Sequence, residues 1–300
     1  MARLEPLLQI IESGNLDENR ITSALAAFKN IEPRMKNLRR EELMEFANLG
    51  DIICSQSLLE NNDFAEICQK NKTAALVVDL TGRVLQTFGD YRKCVQIREK
   101  AANFLIANDE IEYAANSFDY TSGVLHDIGE IQHAIELRLK AASLYEESGS
   151  PKTAAYSHSF AGRYFAELGK YEDAVRCKEV AYNLFLKCSK KKDYSKTEMS
   201  KLALKEARFA FDFAIANKDY KTAVDFLLKS ADLLRFIHLR MEAAETFEKA
   251  ADLLYMLGNN EECMKCLTDS LELFRTNPKR KNEIIETKIE YLKQKLTKPL

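Results

Sequence analysis

Cys263 and Cys266 are separated by two residues, the spacing with which a chain grips a soft metal or makes a redox pair. Either chemistry needs more than two thiols. A zinc site needs further Cys or His ligands, and a redox pair sits at a strand-to-helix turn. This chain offers no second such pair, no histidine close by, and no strand pattern ahead of Cys263. Both thiols fall inside a helical pattern, on one face. Cys263 takes the place that alanine takes elsewhere, as Cys94 does, and cysteine often packs as a small hydrophobe. The four histidines, His126, His133, His158 and His238, form no HExxH pattern and no close cluster with Cys or carboxylates. Gly82, Gly123 and Gly162 stand singly rather than in a phosphate-binding loop, and GxSxG is absent. Each of the three is expected to let a neighbouring helix approach. The residues therefore predict no metal, no cofactor and no catalytic site.

Charge offers a different chemistry. Lys187, Lys190, Lys191, Lys192 and Lys196 form a basic run, and Lys279-Arg280-Lys281 forms a second. Such runs suit an acidic partner or lipid headgroups, the latter at about 1 kcal/mol per basic residue. The whole chain is nearly balanced, with a net charge of −2. That gives no general pull toward nucleic acid. The start, Met1-Ala-Arg-Leu-Glu-Pro6, lacks an apolar signal core. No run reaches the roughly 20 apolar residues of a membrane span. The seven cysteines are an odd count without secreted-disulfide spacing. A cytoplasmic protein is the expectation, with no transmembrane segment and peripheral membrane contact left open.

These residues sit in a repeat. Gly89-Asp-Tyr91, Gly129-Glu-Ile131 and Gly169-Lys-Tyr171 recur every 40 residues, and Lys218-Asp-Tyr220 precedes Gly258-Asn-Asn260 by the same interval. Between Gly169 and Lys218 the interval is 49, which implies an insertion. Gly50-Asp-Ile52 and Gly14-Asn-Leu16 read as weaker copies. A fixed period of this size marks a helical repeat array. Only 10 Gly and 5 Pro in 300 residues favour long helices. Each unit reads as a helix, a glycine cap, and a second helix. Ala134 and Ala141, and Ala174 and Ala181, place small residues on one face of that second helix, where two helices can close on each other.

The predicted fold class is all-α, built of antiparallel helix pairs in one domain over 1–300. Residues 1–72 hold weak N-terminal repeats, 73–188 three regular ones, and 189–198 the insertion. Two further repeats span 199–276, and 277–300 is a C-terminal capping helix.

Ala161-Gly162-x2-Phe165, Gly169, Tyr171, Ala174 and Ala181 resemble the tetratricopeptide pattern. The chain has no Trp, and Val78, Phe118 and Phe247 stand at that consensus position. The family's usual period is 34. The longer period here, with the stretch from Ala134 to Tyr145 and Lys152-Thr-Ala-Ala155, is similar to the soluble attachment proteins of vesicle fusion.

The resemblance implies a right-handed α-solenoid whose first helices line a concave face. Carried onto this sequence, that face comprises Asp79, Arg83, Asp119, His126, Arg163, Arg208, Asp212, Glu248 and Asp252. It lacks the Lys and Asn four apart that would clamp a chaperone tail. The implied partner is a protein, in the attachment-protein case a helical bundle of the fusion machinery. The implied role is an adaptor in vesicle-mediated transport. The alternative is a regulatory sensor whose groove takes a peptide or small ligand.

Overall fold

The computed structural model describes residues 72–87, 89–274 and 281–297. Gly14, Gly50, Lys279 and Arg280, with the weak repeats over 1–71, lie outside the described residues. Among the described residues every regular element is a helix. In chain order these are α1 (Lys72–Thr87), α2 (Tyr91–Ala107), α3 (Ile111–Asp127), α4 (Ile131–Glu147), α5 (Pro151–Glu167), α6 (Tyr171–Ser189), α7 (Lys196–Ala216), α8 (Tyr220–Phe236), α9 (Arg240–Met256), α10 (Asn260–Phe274) and α11 (Lys281–Thr297). Contacts group the chain into two compact units, Met1–Ser157 and His158–Leu300, with the border inside α5.

The helices are cut to length by their links. Eight of the links are three residues long, and the middle residue of each is left-handed: Gly89, Asp109, Gly129, Gly149, Gly169, Lys218, His238 and Gly258. In each, the residue after it donates its N–H back to a carbonyl in the preceding helix, as Glu130 N does to Leu125 O at 2.8 Å. The left-handed residue closes a second bond, Gly129 N to His126 O at 3.0 Å. Together these satisfy carbonyls that the helix end leaves without partners. The spacing shows that the structural period is 20, one helix and one link, half the interval that the glycine motifs mark. Glycine adopts this conformation without a steric cost. At Asp109, Lys218 and His238 the side chain costs about 1 kcal/mol.

Among the described residues, the α6–α7 connection differs from these. α6 has 19 residues and α7 has 21, where α2 to α5 have 17 each, and residues 190–195 join them. Ser195 caps α7 by accepting from the Glu198 N–H at 3.3 Å.

Packing follows the small residues. Ala134, Ala141, Ala174 and Ala181 are fully buried, and Cys94 and Cys263 lie as deep at the position of Ala134 and Ala174. In the second unit α8, α9, α10 and α11 share a core that includes Leu227, Phe247, Leu254, Cys266, Leu267, Ile285 and Ile289.

The lone helix glycines divide. A Cβ added at Gly82 would stand 2.2 Å from Arg98 Cγ, and one at Gly162 would meet Ala174 O at 3.1 Å and Cys177 Cβ at 3.2 Å. A Cβ at Gly123 meets nothing. Gly123 therefore does not admit a neighbour as expected. It lies one residue out of register, and Ser122 holds the place equivalent to Gly82 and Gly162.

Alanine at these sites should move stability in opposite directions. Gly82→Ala must displace Arg98 from its buried ion pair, and should cost at least about 2 kcal/mol. Gly123→Ala should gain about 0.5–1 kcal/mol, since it only restricts the unfolded chain and improves helix propensity. Urea unfolding midpoints for the two variants will read the sign of each.

Candidate functional site

Second helices carry a basic residue on their buried face every 40 residues: Arg98 on α2, Arg138 on α4 and Lys178 on α6. Lys178 is 0% exposed. A buried cation is tolerated only when a carboxylate or several acceptors surround it. Each of these three is so surrounded, by the same two positions on the first helices either side.

At Arg98, the guanidinium Nε donates to Asp79 Oδ1 of α1 at 3.2 Å. Ser117 of α3 donates its hydroxyl to the same oxygen. Arg98 Nη2 finds no hydrogen-bond acceptor, and the guanidinium lies over the Tyr120 ring at 5.4 Å. At Arg138, the carboxylate is Asp119 of α3. Ser157 of α5 donates to Asp119 at 2.8 Å, and Arg138 Nε donates to Ser122 at 3.2 Å. At Lys178 the types exchange places. Ser159 of α5 stands where Asp79 and Asp119 stood, and accepts from Nζ at 2.8 Å. The carboxylate is now Glu206 of α7, in the place of Ser117 and Ser157, at 2.9 Å from Nζ. Burial pulls the Lys178 ammonium below its usual range, against the opposing pull of Glu206. One cation, one carboxylate and one hydroxyl thus join three helices at every such joint. In α8 and α10 the cation's position is held by Leu227 and Leu267 instead, both buried.

This geometry sorts the residues that the sequence places on the first-helix face. Asp79 is 3% exposed and committed to Arg98, with Arg83 bridging its other oxygen at 2.9 Å. Asp119 is likewise committed to Arg138 and Ser157. His126 lies half-buried with Nδ1 3.8 Å from Asp127. In the second unit the face is open. Arg163 is exposed, with its guanidinium 5.3 Å from the Phe160 ring. Arg208 of α7 is exposed and meets Glu242 of α9 at 3.2 Å. Asp212 is exposed, and partial burial raises its carboxyl above the usual range. Glu248 and Asp252 of α9 share Lys288 of α11, at 3.2 and 3.1 Å.

The basic run divides between elements. Lys187 ends α6, Lys190, Lys191 and Lys192 lie in the connection, and Lys196 opens α7; all five are exposed. Cys263 and Cys266 are buried on α10, and burial pushes both thiols up, Cys266 to about 11. A cleft of about 290 Å³ opens between α9, α10 and α11, lined by Asp252, Tyr255, Cys263, Leu267, Lys288 and Tyr291.

Sequence reasoning missed the buried triads. Their signal was present as basic residues 40 apart on an otherwise apolar face.

No family model matches the chain, and no curated protein matches it significantly. Solved structures do. BtubC (BKLC) from P. vanneervenii is 13% identical over 80% of this chain and 94% of that one, with a TM-score of 0.40. A signal transduction ATPase with a tetratricopeptide repeat sensor, from Pyrococcus horikoshii, is 14% identical over 94% of this chain and 44% of that one, at 0.41. Aspartyl phosphate phosphatase F from Bacillus subtilis is 14% identical over 92% of this chain and 66% of that one, at 0.40. These likenesses carry no function to this chain.

Two outcomes test the site's chemistry. Lys178→Met leaves Glu206 buried beside a thioether and should cost about 3–5 kcal/mol, while adding Glu206→Leu should restore most of it. Thermal unfolding of the single and double variants measures both. Cys263 and Cys266 should resist alkylation at pH 8 in the folded protein and react in urea, since at a pKa of about 11 only roughly a thousandth of Cys266 is thiolate. Peptide mass spectrometry reads the labelling, and a zinc assay should find no stoichiometric metal.

Proposed function

We propose that the chain is a non-catalytic interaction module that holds a partner protein on the exposed face of its first helices in the second unit. One observation carries this reading. Where the buried cation of the second helix gives way to leucine, the facing position on the first helix no longer serves the core. Arg208 occupies that position on α7 and is 57% exposed, while Asp79 at the equivalent place on α1 is buried. Arg208, Asp212, Glu248 and Asp252, with Arg163 on α5, form a set of both signs outside the buried joints, Glu248 and Asp252 sharing Lys288. Such a face suits a polar protein surface. An arginine there offers a planar pair of donors to a partner carboxylate.

The finer form of the proposal is an adaptor like the soluble attachment proteins, working in the cytoplasm on a helical bundle in vesicle transport. Its support is the 40-residue pair of long helices. A second reading, a sensor that takes a peptide or small ligand, is favoured by the 290 Å³ cleft between α9, α10 and α11. Its leucine and cysteine floor and its tyrosine and ion-pair walls suit an amphipathic guest.

Arg163→Glu with Arg208→Glu should weaken partner capture at least tenfold, about 1.4 kcal/mol. Helix content and melting temperature should hardly move, because the Arg208–Glu242 pair is exposed and such pairs contribute little. Affinity capture with quantitative mass spectrometry, followed by titration of the captured protein, makes the measurement. Unchanged capture by the double variant would sink the first-helix face as the binding surface.

A further inference from the structure

The link between α8 and α9, Ile237-His238-Leu239, combines a left-handed residue that is not glycine with an apolar residue at the start of the next helix. Its left-handed residue is His238, at a φ of 64°, where five of the eight links use glycine. The residue before each helix in the other links is polar or charged: Asp90, Glu110, Glu130, Ser150, Lys170, Asp219 and Asn259. Here it is Leu239, which has no side-chain acceptor for the first turn of α9. At the equivalent place Asp219 accepts from the Thr222 N–H at 3.1 Å. Side-chain caps are also missing at Glu110, Glu130 and Lys170, but the α8–α9 link is the one of the eight that puts an apolar side chain at this position, on a left-handed backbone. The same stretch turns apolar side chains outward, with Phe236 47%, Leu239 39% and Met241 39% exposed. A local rule broken without a gain in the fold marks a place kept for another purpose.

The neighbourhood says what that purpose is. A three-residue link joins α7 to α8, so the start of α7 and the end of α8 lie at the same end of the pair. The contact between them is direct: Lys196 Nζ lies 4.2 Å from the centre of the Phe236 ring. The α6–α7 connection leads into that lysine, and it brings Lys190, Lys191 and Lys192, all exposed, with Asp193 the one carboxylate among residues 190–195. Arg240 is exposed beside Leu239. Lys196 thus lies on the Phe236 ring, Arg240 follows Leu239 in the chain, and three further lysines lie in the connection that leads to Lys196.

We propose that this edge of the second unit docks on an anionic lipid surface. Phe236, Leu239 and Met241 enter the headgroup region, and the lysines of the α6–α7 connection meet lipid phosphates and carboxylates. The apolar residues stand on a turn and its flanking helix ends rather than lining a groove, which suits a bilayer more than a protein ligand. A bilayer buries such side chains without needing a matching pocket, and anionic headgroups complement the lysines. The docking residues include none of those varied to test the first-helix face, so either proposal can fail without the other.

The test is flotation of the full chain with vesicles of equal parts phosphatidylserine and phosphatidylcholine, against vesicles of phosphatidylcholine alone. Wild-type protein is expected to float with the anionic vesicles and not with the neutral ones. Phe236→Ser with Leu239→Ser should reduce the bound fraction at least tenfold. Lys190→Glu, Lys191→Glu and Lys192→Glu together should do the same and remove the salt dependence. Leu239→Asp is the decisive variant. It restores a cap of the kind Asp219 makes, so its melting temperature should hold or rise while flotation falls, and misfolding cannot explain the loss. The proposal is overturned if wild-type protein does not float, or if Leu239→Asp floats as wild type does. Retention on immobilised polyglutamate without flotation would equally overturn it, and would assign the edge to an acidic protein instead.

Discussion

A cation moved out of water must meet a carboxylate in the place where it comes to rest, and Arg98, Arg138 and Lys178 impose that demand on three successive joints. Each joint draws one partner from the first helix of its own pair and one from the first helix of the next. Asp79 and Ser117 meet at Arg98, Asp119 and Ser157 at Arg138, Ser159 and Glu206 at Lys178. The exchange of acid and hydroxyl at the third joint is informative. The joint conserves the charge balance and the three-helix geometry, while the helix that supplies the carboxylate changes. Apolar packing alone is tolerant of small slides between helices. A charge-assisted hydrogen bond is directional, so these triads set the register in which alanine faces close.

Past Lys178 the solution changes. Leu227 and Leu267 take the cation's place, and the joints of α8 and α10 become part of one apolar core with Phe247, Leu271 and Phe274. Such joints gain from area buried and ask little of the first helix's polar residues. That change releases Arg208 and Glu248 from the buried joints, and each pairs nearer the surface instead, Arg208 with Glu242 and Glu248 with Lys288.

Much of the fold was legible in the residues. The glycine motifs gave the pairs and the packing alanines, and Cys94 and Cys263 read correctly as alanine substitutes. The half-period escaped because the left-handed residues between pairs are Asp109, Gly149 and His238, a single glycine among three, so no glycine motif recurs at those links. Gly123 was misread for the opposite reason. It is a glycine near the place where one is needed, but the equivalent position is held by Ser122, whose hydroxyl works where a missing side chain works elsewhere. The face residues were only partly legible. Spacing puts Asp79 and Arg208 at one position, but only the identity of the residue across the joint, Arg98 or Leu227, decides which one turns to water.

The eight three-residue links have a consequence for how such a chain can lengthen. Because one helix and one link make 20 residues, a single such piece could be copied or lost without disturbing any turn. Yet it would reverse parity: every later helix would exchange first- and second-helix roles, and the cation of one joint would no longer face its carboxylate. Growth is thus confined to even steps, two helices at a time. The longer α6–α7 connection obeys the same arithmetic, since its extra residues extend two existing helices and a loop and leave the alternation intact.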